Sequence, residues 1–139
     1  MKVVVLGKAT ERSEAGEFGT AEEFAAMDQF NEQLVEAGVV LAADGLQPTS
    51  KGKRVAFDAD GNTTVVDGPF AETKELVAGF SIWEVASMDE AVEWVKRSPL
   101  RDSEVELRKV LDAEDFDESF ATEIAAAEER RRAEPTAKS

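Results

Sequence analysis

The chain of 139 residues contains neither cysteine nor histidine. Without cysteine there is no disulfide, no thiolate metal site and no cysteine nucleophile, a composition that fits a cytoplasmic protein. Without histidine the chain lacks the commonest general base at neutral pH and the commonest metal ligand. The two absences leave carboxylates as the candidates for acid–base chemistry and leave only an all-oxygen site for a metal ion.

Basic residues are also scarce, because 30 acidic residues face 16 basic ones and the formal net charge is −14. This balance argues against binding to nucleic acid or to an anionic membrane surface, both of which require clustered lysine and arginine. No apolar run is long enough to cross a membrane, and the first one, residues 3–6, is too short for a signal peptide. We expect a soluble, cytoplasmic protein with neither nucleic acid nor membrane as a partner.

The hydrophobic pattern predicts alternating strands and helices. Strands are expected at residues 3–6, 39–43, 53–57, 63–67, 76–85 and 104–111. One helix is expected from an N-cap at Thr20 to about residue 37, with Phe24, Met27, Phe30 and Leu34 as its apolar stripe. A second helix begins at the N-cap Ser87, and a third spans 112–132. Residues 10–19 are expected to form a loop.

The segment 58–62, which reads DADGN, lies between two strand-like runs and predicts a β-hairpin. A calcium loop is the alternative, but the bidentate glutamate that such a loop needs is absent. We therefore predict no metal and no cofactor.

The order of these elements predicts an α+β fold, namely a ferredoxin-like sandwich with an inserted β-hairpin and a C-terminal helix. The expected division is a domain at 1–111, a helical extension at 112–132 and a disordered tail at 133–139. Phe80, Ile82 and Trp83 place bulky apolar groups on both faces of one strand, whereas two helices cover only one face. An uncovered apolar face predicts a homodimer whose sheets pack together as a dimeric α/β barrel.

The densest motif in the chain is the segment 67–75, DGPFAETKE. In one interpretation it is a structural corner: Gly68 adopts a positive φ, Asp67 forms an Asx-turn with the backbone N–H of Phe70 or Ala71, and Phe70 fills the core.

In the other interpretation Asp67 faces a cleft, with Glu72, Thr73 and Lys74 on the loop above it. Carboxylate and ammonium groups together bind a small polar ligand, or they form an acid–base pair if burial moves a pKa. Both interpretations remain open at this point.

A second candidate group lies on the last strand, where Glu106 and Arg108 share one face and Val105 and Leu107 share the other. The two charged residues are expected to form a structural ion pair or, alternatively, to place an arginine that anchors a carboxylate ligand. The cations expected to be solvated strand ends are Lys2, Lys8 and Arg54.

The segment 67–75 resembles the signature of the DGPF-domain proteins, a branch of the YCII-related family. Residues 45–48 (GLQP), 78–80 (AGF) and 89–94 (DEAVEW) are similar to further parts of that pattern, so the resemblance covers most of residues 1–111. It implies a ferredoxin-like fold and a dimeric α/β barrel, but it does not imply a settled activity. Members of this branch are often encoded beside alternative sigma factors, which implies a regulatory setting.

Relatives in the wider family carry a His–Asp pair in a cleft. The aspartate of that pair resembles Asp67, whereas its histidine has no counterpart in this chain. We therefore predict Asp67 as a candidate catalytic residue in a homodimer that binds a small polar molecule near the DGPF motif. The predicted ligand-binding residues are Asp67, Glu72, Thr73, Lys74, Glu106 and Arg108. The alternatives are a lyase or isomerase that uses carboxylates, and a regulatory interaction module that works through the C-terminal helix without catalysis.

Overall fold

The structure, a computed structural model, describes residues 1–133. It divides into two units, of which the first is Met1–Lys109 and the second begins at Val110. The domain boundary expected at residue 111 stays a prediction. The tail expected to be disordered lies outside the described residues, except for Ala133, which ends a helix. Within residues 1–133 no helix is long and apolar enough to span a membrane.

The described residues form six strands and four α-helices. In chain order they are β1 (Lys2–Lys8), α1 (Glu11–Glu14), α2 (Ala21–Glu36), β2 (Val40–Gly45), β3 (Lys53–Phe57), β4 (Thr63–Asp67), β5 (Val77–Glu84), α3 (Met88–Lys96), β6 (Val105–Lys109) and α4 (Glu118–Ala133). All six predicted strands and the three predicted helices are present. The expectation of a loop at 10–19 is wrong, because Thr10 and Ser13 form a capping box that starts α1.

The main sheet has the strand order β2-β5-β1-β6, and every neighbouring pair is antiparallel. With α2 after β1 and α3 after β5, this is the topology of the ferredoxin-like fold, which confirms that prediction. Strand β1 runs past Gly7, where the sequence suggested an end, because Gly7 is paired with Gly79 on one side and Val105 on the other. Lys8 is therefore the last residue of β1, a central strand of the sheet.

The core lies between one face of this sheet and the helices α2 and α3. Its buried residues are Val3, Val5, Phe30, Leu34, Val39, Trp83, Val85 and Ala91. Val105 and Leu107 pack against this core, as expected. Phe24 does not, and its predicted place in the apolar stripe of α2 is wrong, because it is 72% exposed in the first turn of that helix.

The opposite face of the sheet carries a second apolar group. Val4 is paired with Ile82, and Leu6 with Phe80. Because side chains alternate along a strand, these four residues point away from the face that holds Val3. They are half-buried and lie outside the core. We call this the open face of the sheet, and it confirms that bulky apolar groups occupy both faces.

Strands β3 and β4 form a separate two-stranded sheet, and Val55 is paired with Val65 at its middle. Both strands have the predicted bounds. Asp58 closes the loop between them, because its carboxylate accepts the backbone N–H groups of Asp60 and Asn62, each at 2.9 Å. The hydrogen bond from the Asn62 backbone N–H is the largest cause that lowers the pKa of Asp58. The hairpin interpretation of residues 58–62 is therefore confirmed.

The second unit contains a short 3₁₀-helix, Ala113–Asp115, followed by α4. A continuous helix from residue 112 was expected, and its start is wrong. Asp117 accepts the backbone N–H of Phe120 at 2.9 Å and so caps a helix that begins at Glu118. Phe116 lies before the helix, with its ring edge-on to that of Phe120 at 5.1 Å between centroids.

Candidate functional site

A cleft of about 610 Å³ lies at the C-terminal end of β1, and we call it the β1 cleft. The residues that line it are Lys8, Ala9, Thr10, Glu11, Glu72, Thr73, Lys74, Asp102, Ser103 and Glu104. They come from the end of β1 and the start of α1, from the segment before β5, and from the segment before β6. Because β1 is antiparallel to both neighbours, its end meets their beginnings.

Backbone hydrogen bonds hold these three segments together. The N–H of Lys8 donates to the carbonyl of Glu104 at 2.9 Å, and the N–H of Ala9 donates to the carbonyl of Leu76 at 2.8 Å. The walls of the cleft are thus continuations of the sheet. Side chains on them are held by the sheet geometry.

Lys8 is nearly covered, because its side chain is only 10% exposed, and the expectation that it is solvated is wrong. Its ammonium group lies 3.1 Å from Oε1 of Glu106. Glu106 is on β6, opposite Leu6, and is therefore a diagonal neighbour of Lys8 across the sheet. The carboxylate of Glu106 thus provides an opposite charge for the covered ammonium group of Lys8.

Glu106 also accepts a hydrogen bond from Nη1 of Arg108 at 3.1 Å. The hydrogen bond from Lys8, followed by that from Arg108, lowers the pKa of Glu106 below its usual value. The predicted ion pair between Glu106 and Arg108 is confirmed. It is part of a row of three charged residues, Lys8–Glu106–Arg108, that leads from the β1 cleft along β6.

The backbone of the cleft is left-handed at two positions. Glu72 has φ 61° and ψ 59°, and it precedes the short 3₁₀-helix Thr73–Glu75. Asp102 has φ 50°. Within residues 1–133 these are the two non-glycine residues with positive φ, and both line the β1 cleft. For a residue with a long side chain such as Glu72, this conformation costs about 1–2 kcal/mol.

The DGPF segment, residues 67–70, is a corner of a different kind from the one expected. Gly68 does not adopt a positive φ. A glycine is required at position 68 because a Cβ atom there would lie 1.7 Å from the carbonyl oxygen of Thr49. The predicted Asx-turn to Phe70 is wrong, since the N–H of Phe70 donates to the Thr49 hydroxyl at 3.1 Å. The Gly68–Pro69 peptide bond is cis.

Thr49 is itself held by Glu14 of α1, whose carboxylate accepts both the backbone N–H and the hydroxyl of Thr49. Glu14, Thr49 and the DGPF segment therefore form one chain of hydrogen bonds. Phe70 is half-buried and lies outside the core, with the guanidinium of Arg54 stacked 3.9 Å from its ring centroid. The expectation that Phe70 fills the core is wrong.

Asp67 lies at the end of β4, where its carboxylate pairs with Lys53 on β3. Its side chain is 74% exposed. The residues that line the β1 cleft do not include it. Its predicted catalytic and ligand-binding roles stay predictions, and they concern the base of the hairpin.

The structure thus brings together part of the predicted set. Glu72, Thr73 and Lys74 line the β1 cleft, and Glu106 and Arg108 are connected to it through Lys8. The lining residues that sequence reasoning missed are Lys8, Ala9, Thr10, Glu11, Asp102, Ser103 and Glu104. The predicted fold could have identified these residues, because the ferredoxin-like topology places the end of β1 beside the beginnings of β5 and β6.

The polar groups of the cleft are four carboxylates, two ammonium groups and the hydroxyls of two threonines and a serine. No group of three or more acidic residues within residues 1–133 is arranged to hold a metal ion. Such a set of donors and acceptors can orient a small molecule by hydrogen bonds.

The chain is similar to a curated protein and to a solved structure. An uncharacterised protein of Rhizobium meliloti (strain 1021) is 44% identical over 64 residues, which are 46% of this chain and 51% of that protein. The match thus spans about half the length of the relative. The structure of 5-chloro-2-hydroxyhydroquinone dehydrochlorinase from Burkholderia phenoliruptrix AC1100, in complex with 2,5-dihydroxybenzoquinone, has a TM-score of 0.46 at 16% identity.

That structural match covers 84% of this chain and 100% of the dehydrochlorinase chain. At such a TM-score the likeness carries neither a fold nor an activity over to the present protein. The family comparison is decisive, because the YCII-related domain matches residues 1–114. The chain therefore belongs to the YCII-related family.

Proposed function

We propose that the protein is a homodimer that binds a small polar molecule in the β1 cleft. The observation that carries the proposal is the left-handed backbone at Glu72 and Asp102, both of which line this cleft. Strained conformations of this kind persist where the surrounding structure enforces them, and they cluster at functional sites. Glu72, in this conformation, and the two residues that follow it, Thr73 and Lys74, all line the β1 cleft.

At Glu106, which is connected to the cleft through Lys8, the chemistry favours a binding role over acid–base catalysis. A carboxylic acid that works near neutral pH needs a raised pKa. Glu106, the carboxylate that meets Lys8, has a lowered pKa and stays ionised. It therefore serves to hold Lys8 in place. Lys8 and Lys74 can donate hydrogen bonds to a ligand, while Glu72 can accept them.

The dimer is supported by the open face of the sheet. Val4, Leu6, Phe80 and Ile82 form a contiguous apolar group that the helices α2 and α3 do not cover. A second copy of the same sheet, packed face to face about a two-fold axis, would bury this group. The row Lys8–Glu106–Arg108 lies on the same face and would then border the space between the sheets. We place the chain in the DGPF branch of the family on the motif alone.

The test is a thermal-shift screen of small polar compounds on the wild type and two variants. Lys74→Met alters the β1 cleft, whereas Asp67→Asn alters the base of the hairpin. We expect a binding compound to raise the melting temperature of the wild type and of Asp67→Asn, and to raise that of Lys74→Met much less. The opposite pattern would move the site to Asp67. If no compound shifts any of the three proteins, the binding proposal is wrong.

The dimer is tested separately by analytical ultracentrifugation of the wild type and Ile82→Asp. A carboxylate at position 82 would be buried without a partner in the sheet-to-sheet contact. We expect a dimeric wild type and a monomeric, folded variant. A variant that stays dimeric would contradict pairing through the open face.

A further inference from the structure

Helix α1 has no apolar residue with which to pack. Its four residues, Glu11–Glu14, are Glu, Arg, Ser and Glu, and none of them is buried. A helix this short is not stable by itself, because forming one turn fixes several residues for a single hydrogen bond. The capping box of Thr10 and Ser13 closes the turn but does not attach it to the rest of the chain. The far end of α1 therefore depends on a polar contact.

The last residue of α1, Glu14, makes that contact. Its half-buried carboxylate accepts the backbone N–H of Thr49 at 3.1 Å and the Thr49 hydroxyl at 2.5 Å. The same hydroxyl accepts the N–H of Phe70 at 3.1 Å. Because the hydroxyl proton is directed to the carboxylate, a lone pair of its oxygen is left for Phe70. We call these hydrogen bonds, from Glu14 through Thr49 to Phe70, the Glu14 link.

The left-handed residue Glu72 lies two residues beyond the end of the Glu14 link. Phe70 is held by its N–H and by its ring, which lies 3.9 Å from the guanidinium carbon of Arg54. A single residue separates Phe70 from Glu72, so the chain enters the left-handed position, φ 61°, from a fixed point. On the other side, the N–H of Glu75 donates to the carbonyl of Glu72 at 2.8 Å. Glu72 is therefore restrained from both directions.

The Glu14 link joins two of the walls of the β1 cleft. Thr10 and Glu11 line the cleft at the start of α1, and Glu72, Thr73 and Lys74 line it before β5. The pairing of β1 with β5 connects these walls once, and the Glu14 link connects them a second time. Two connections fix a relative placement, whereas one connection lets the walls turn about it. The spacing of the lining groups thus depends on the link.

We propose that Glu14 is a positioning residue of the β1 cleft, which holds Glu72 left-handed and holds α1 beside the segment 72–74. A left-handed residue other than glycine persists where the surrounding structure enforces it, and the Glu14 link supplies this enforcement. The residues that line the cleft do not include Glu14, so it acts through Thr49 and Phe70 instead of touching a ligand. The inference rests on the proposed function, because the positioned groups are those assigned to the ligand.

The first test is amide hydrogen exchange, measured by NMR, in the wild type and Glu14→Ala. We expect exchange at Phe70 and Glu75 to be roughly tenfold faster in the variant, as loss of a hydrogen bond to a charged group predicts. The amide of Val39, which donates to Leu34 beside the core, should change less than about twofold. Equal acceleration at Val39 would show that Glu14 supports the whole fold instead of the cleft, and would overturn the proposal.

The matched control is Glu17→Ala, three residues further along the chain. Glu17 has an exposed carboxylate that pairs with Arg12 at 3.9 Å. This substitution should leave the exchange at Phe70 and Glu75 unchanged. If it accelerates exchange there as much as Glu14→Ala does, the effect comes from lost charge and the Glu14 link is wrong.

A second matched pair of variants tests the hydroxyl in the middle of the link. Thr49→Ser keeps the hydroxyl, whereas Thr49→Val keeps the shape of the side chain and removes the acceptor of the Phe70 N–H. We expect the serine variant to exchange like the wild type at Phe70 and Glu75, and the valine variant to exchange like Glu14→Ala. Equal exchange in the two Thr49 variants would contradict the link.

The action on Glu72 is tested by combining Glu14→Ala with Glu72→Gly. Glycine removes the cost of the left-handed backbone, so it should raise the urea midpoint of the wild type. If the Glu14 link enforces that backbone, Glu72 relaxes in Glu14→Ala, and glycine then raises the midpoint by less than about half as much. Equal rises in both backgrounds would show that other contacts enforce the conformation. No rise in either would show that there is no strain to enforce, and both results overturn the proposal.

Hydrogen exchange needs no ligand, so this proposal and the proposed function fail separately. If the thermal-shift screen finds no compound but Glu14→Ala accelerates exchange at Phe70 and Glu75, the positioning role stands and ligand binding is wrong. If the screen finds a compound that binds the wild type and exchange at both amides is unchanged in Glu14→Ala, ligand binding stands and the positioning role is wrong.

Discussion

The four-stranded sheet and the β3–β4 hairpin are built from similar β-rich segments, yet they differ in what covers them. The sheet buries Val3 and Trp83 under α2 and α3, whereas the hairpin leaves Val55 and Val65 exposed on a separate ribbon. Strand formation and burial are therefore separate properties in this protein. Paired strands form both sheets. Only the four-stranded sheet has a core, because the helices α2 and α3 pack against one of its faces.

The hairpin is held at its base instead of along its faces. The N–H of Gly68 donates to the carbonyl of Gly52 at 3.0 Å, and Thr49 joins the DGPF segment to Glu14. We therefore expect changes to the covered face of the sheet to affect the whole fold. Changes in the exposed hairpin strands should affect the stability of the fold least, and changes at the hairpin base should have an intermediate effect.

The covered side of this comparison is tested most strongly by Phe30→Ala, with Phe24→Ala as the matched control on the same helix. Phe30 is 6% exposed in the core, and Phe24 is 72% exposed. Burial and the resulting cavity predict a loss of about 3–5 kcal/mol in the free energy of unfolding for Phe30→Ala. The control should change it by less than about 0.5 kcal/mol. Urea denaturation measures both, and similar losses would contradict the placement of the core.

The hairpin base is tested by Gly68→Ala. The new Cβ atom would meet the carbonyl oxygen of Thr49, a backbone atom that cannot rotate away. Overpacking of this kind predicts a loss of about 1–3 kcal/mol, together with faster hydrogen exchange at the Phe70 amide. Gly45→Ala is the control, because a Cβ there meets no atom within 4 Å. A Gly68→Ala protein as stable as this control would show that the base is not tightly packed.

The strain in the β1 cleft is tested by Glu72→Gly. Because glycine adopts φ 61° without steric cost, we expect the variant to be more stable than the wild type by about 1 kcal/mol. Glu72→Ala removes the carboxylate but keeps the left-handed backbone, so it should bring no such gain. Equilibrium unfolding of the three proteins decides the matter. If Glu72→Gly is destabilised, the left-handed conformation is not a source of strain.

The smallest expected effect is the pH dependence of the stability that Glu106 contributes. Since ion pairs with Lys8 and Arg108 lower its folded pKa below 4.5, the charged form contributes stability above that pH. This contribution disappears as the pH falls through the folded pKa. The stability difference between the wild type and Glu106→Gln should therefore be largest near neutral pH and vanish in strong acid. Thermal unfolding from neutral to acidic pH measures it, and a difference independent of pH would contradict the ion pairs.

Much of the fold could be predicted from the sequence because its signals are local. Short β-rich runs between turn residues marked the strands. The hydroxyl of Thr20 accepts the N–H of Glu23 at 3.1 Å, as an N-cap should. The hairpin was predicted residue by residue, because the Asp58 loop has its own chemistry. The errors arose where such signals compete. Phe24 fits an apolar stripe by spacing, but it lies a turn away from the part of α2 that reaches the core.

The candidate site could be predicted only in part. The motif drew attention to Glu72, Thr73 and Lys74, which do line the β1 cleft. It also drew attention to Asp67, which lies with Lys53 on the hairpin. Sequence proximity could not separate these two places, because the corner at Gly68 turns the chain between them.

The sequence by itself determined the family and the order of strands and helices. It also excluded sites that need cysteine or histidine. These properties depend on composition and on patterns within a few residues. Only the tertiary structure decided that Lys8 is covered, that Glu106 holds it, and that Gly68 is required by a neighbouring carbonyl rather than by its own φ. The physical reason is that each of these facts depends on atoms from segments far apart in the chain, which meet only when β1 pairs with β6 and Thr49 packs against the DGPF segment.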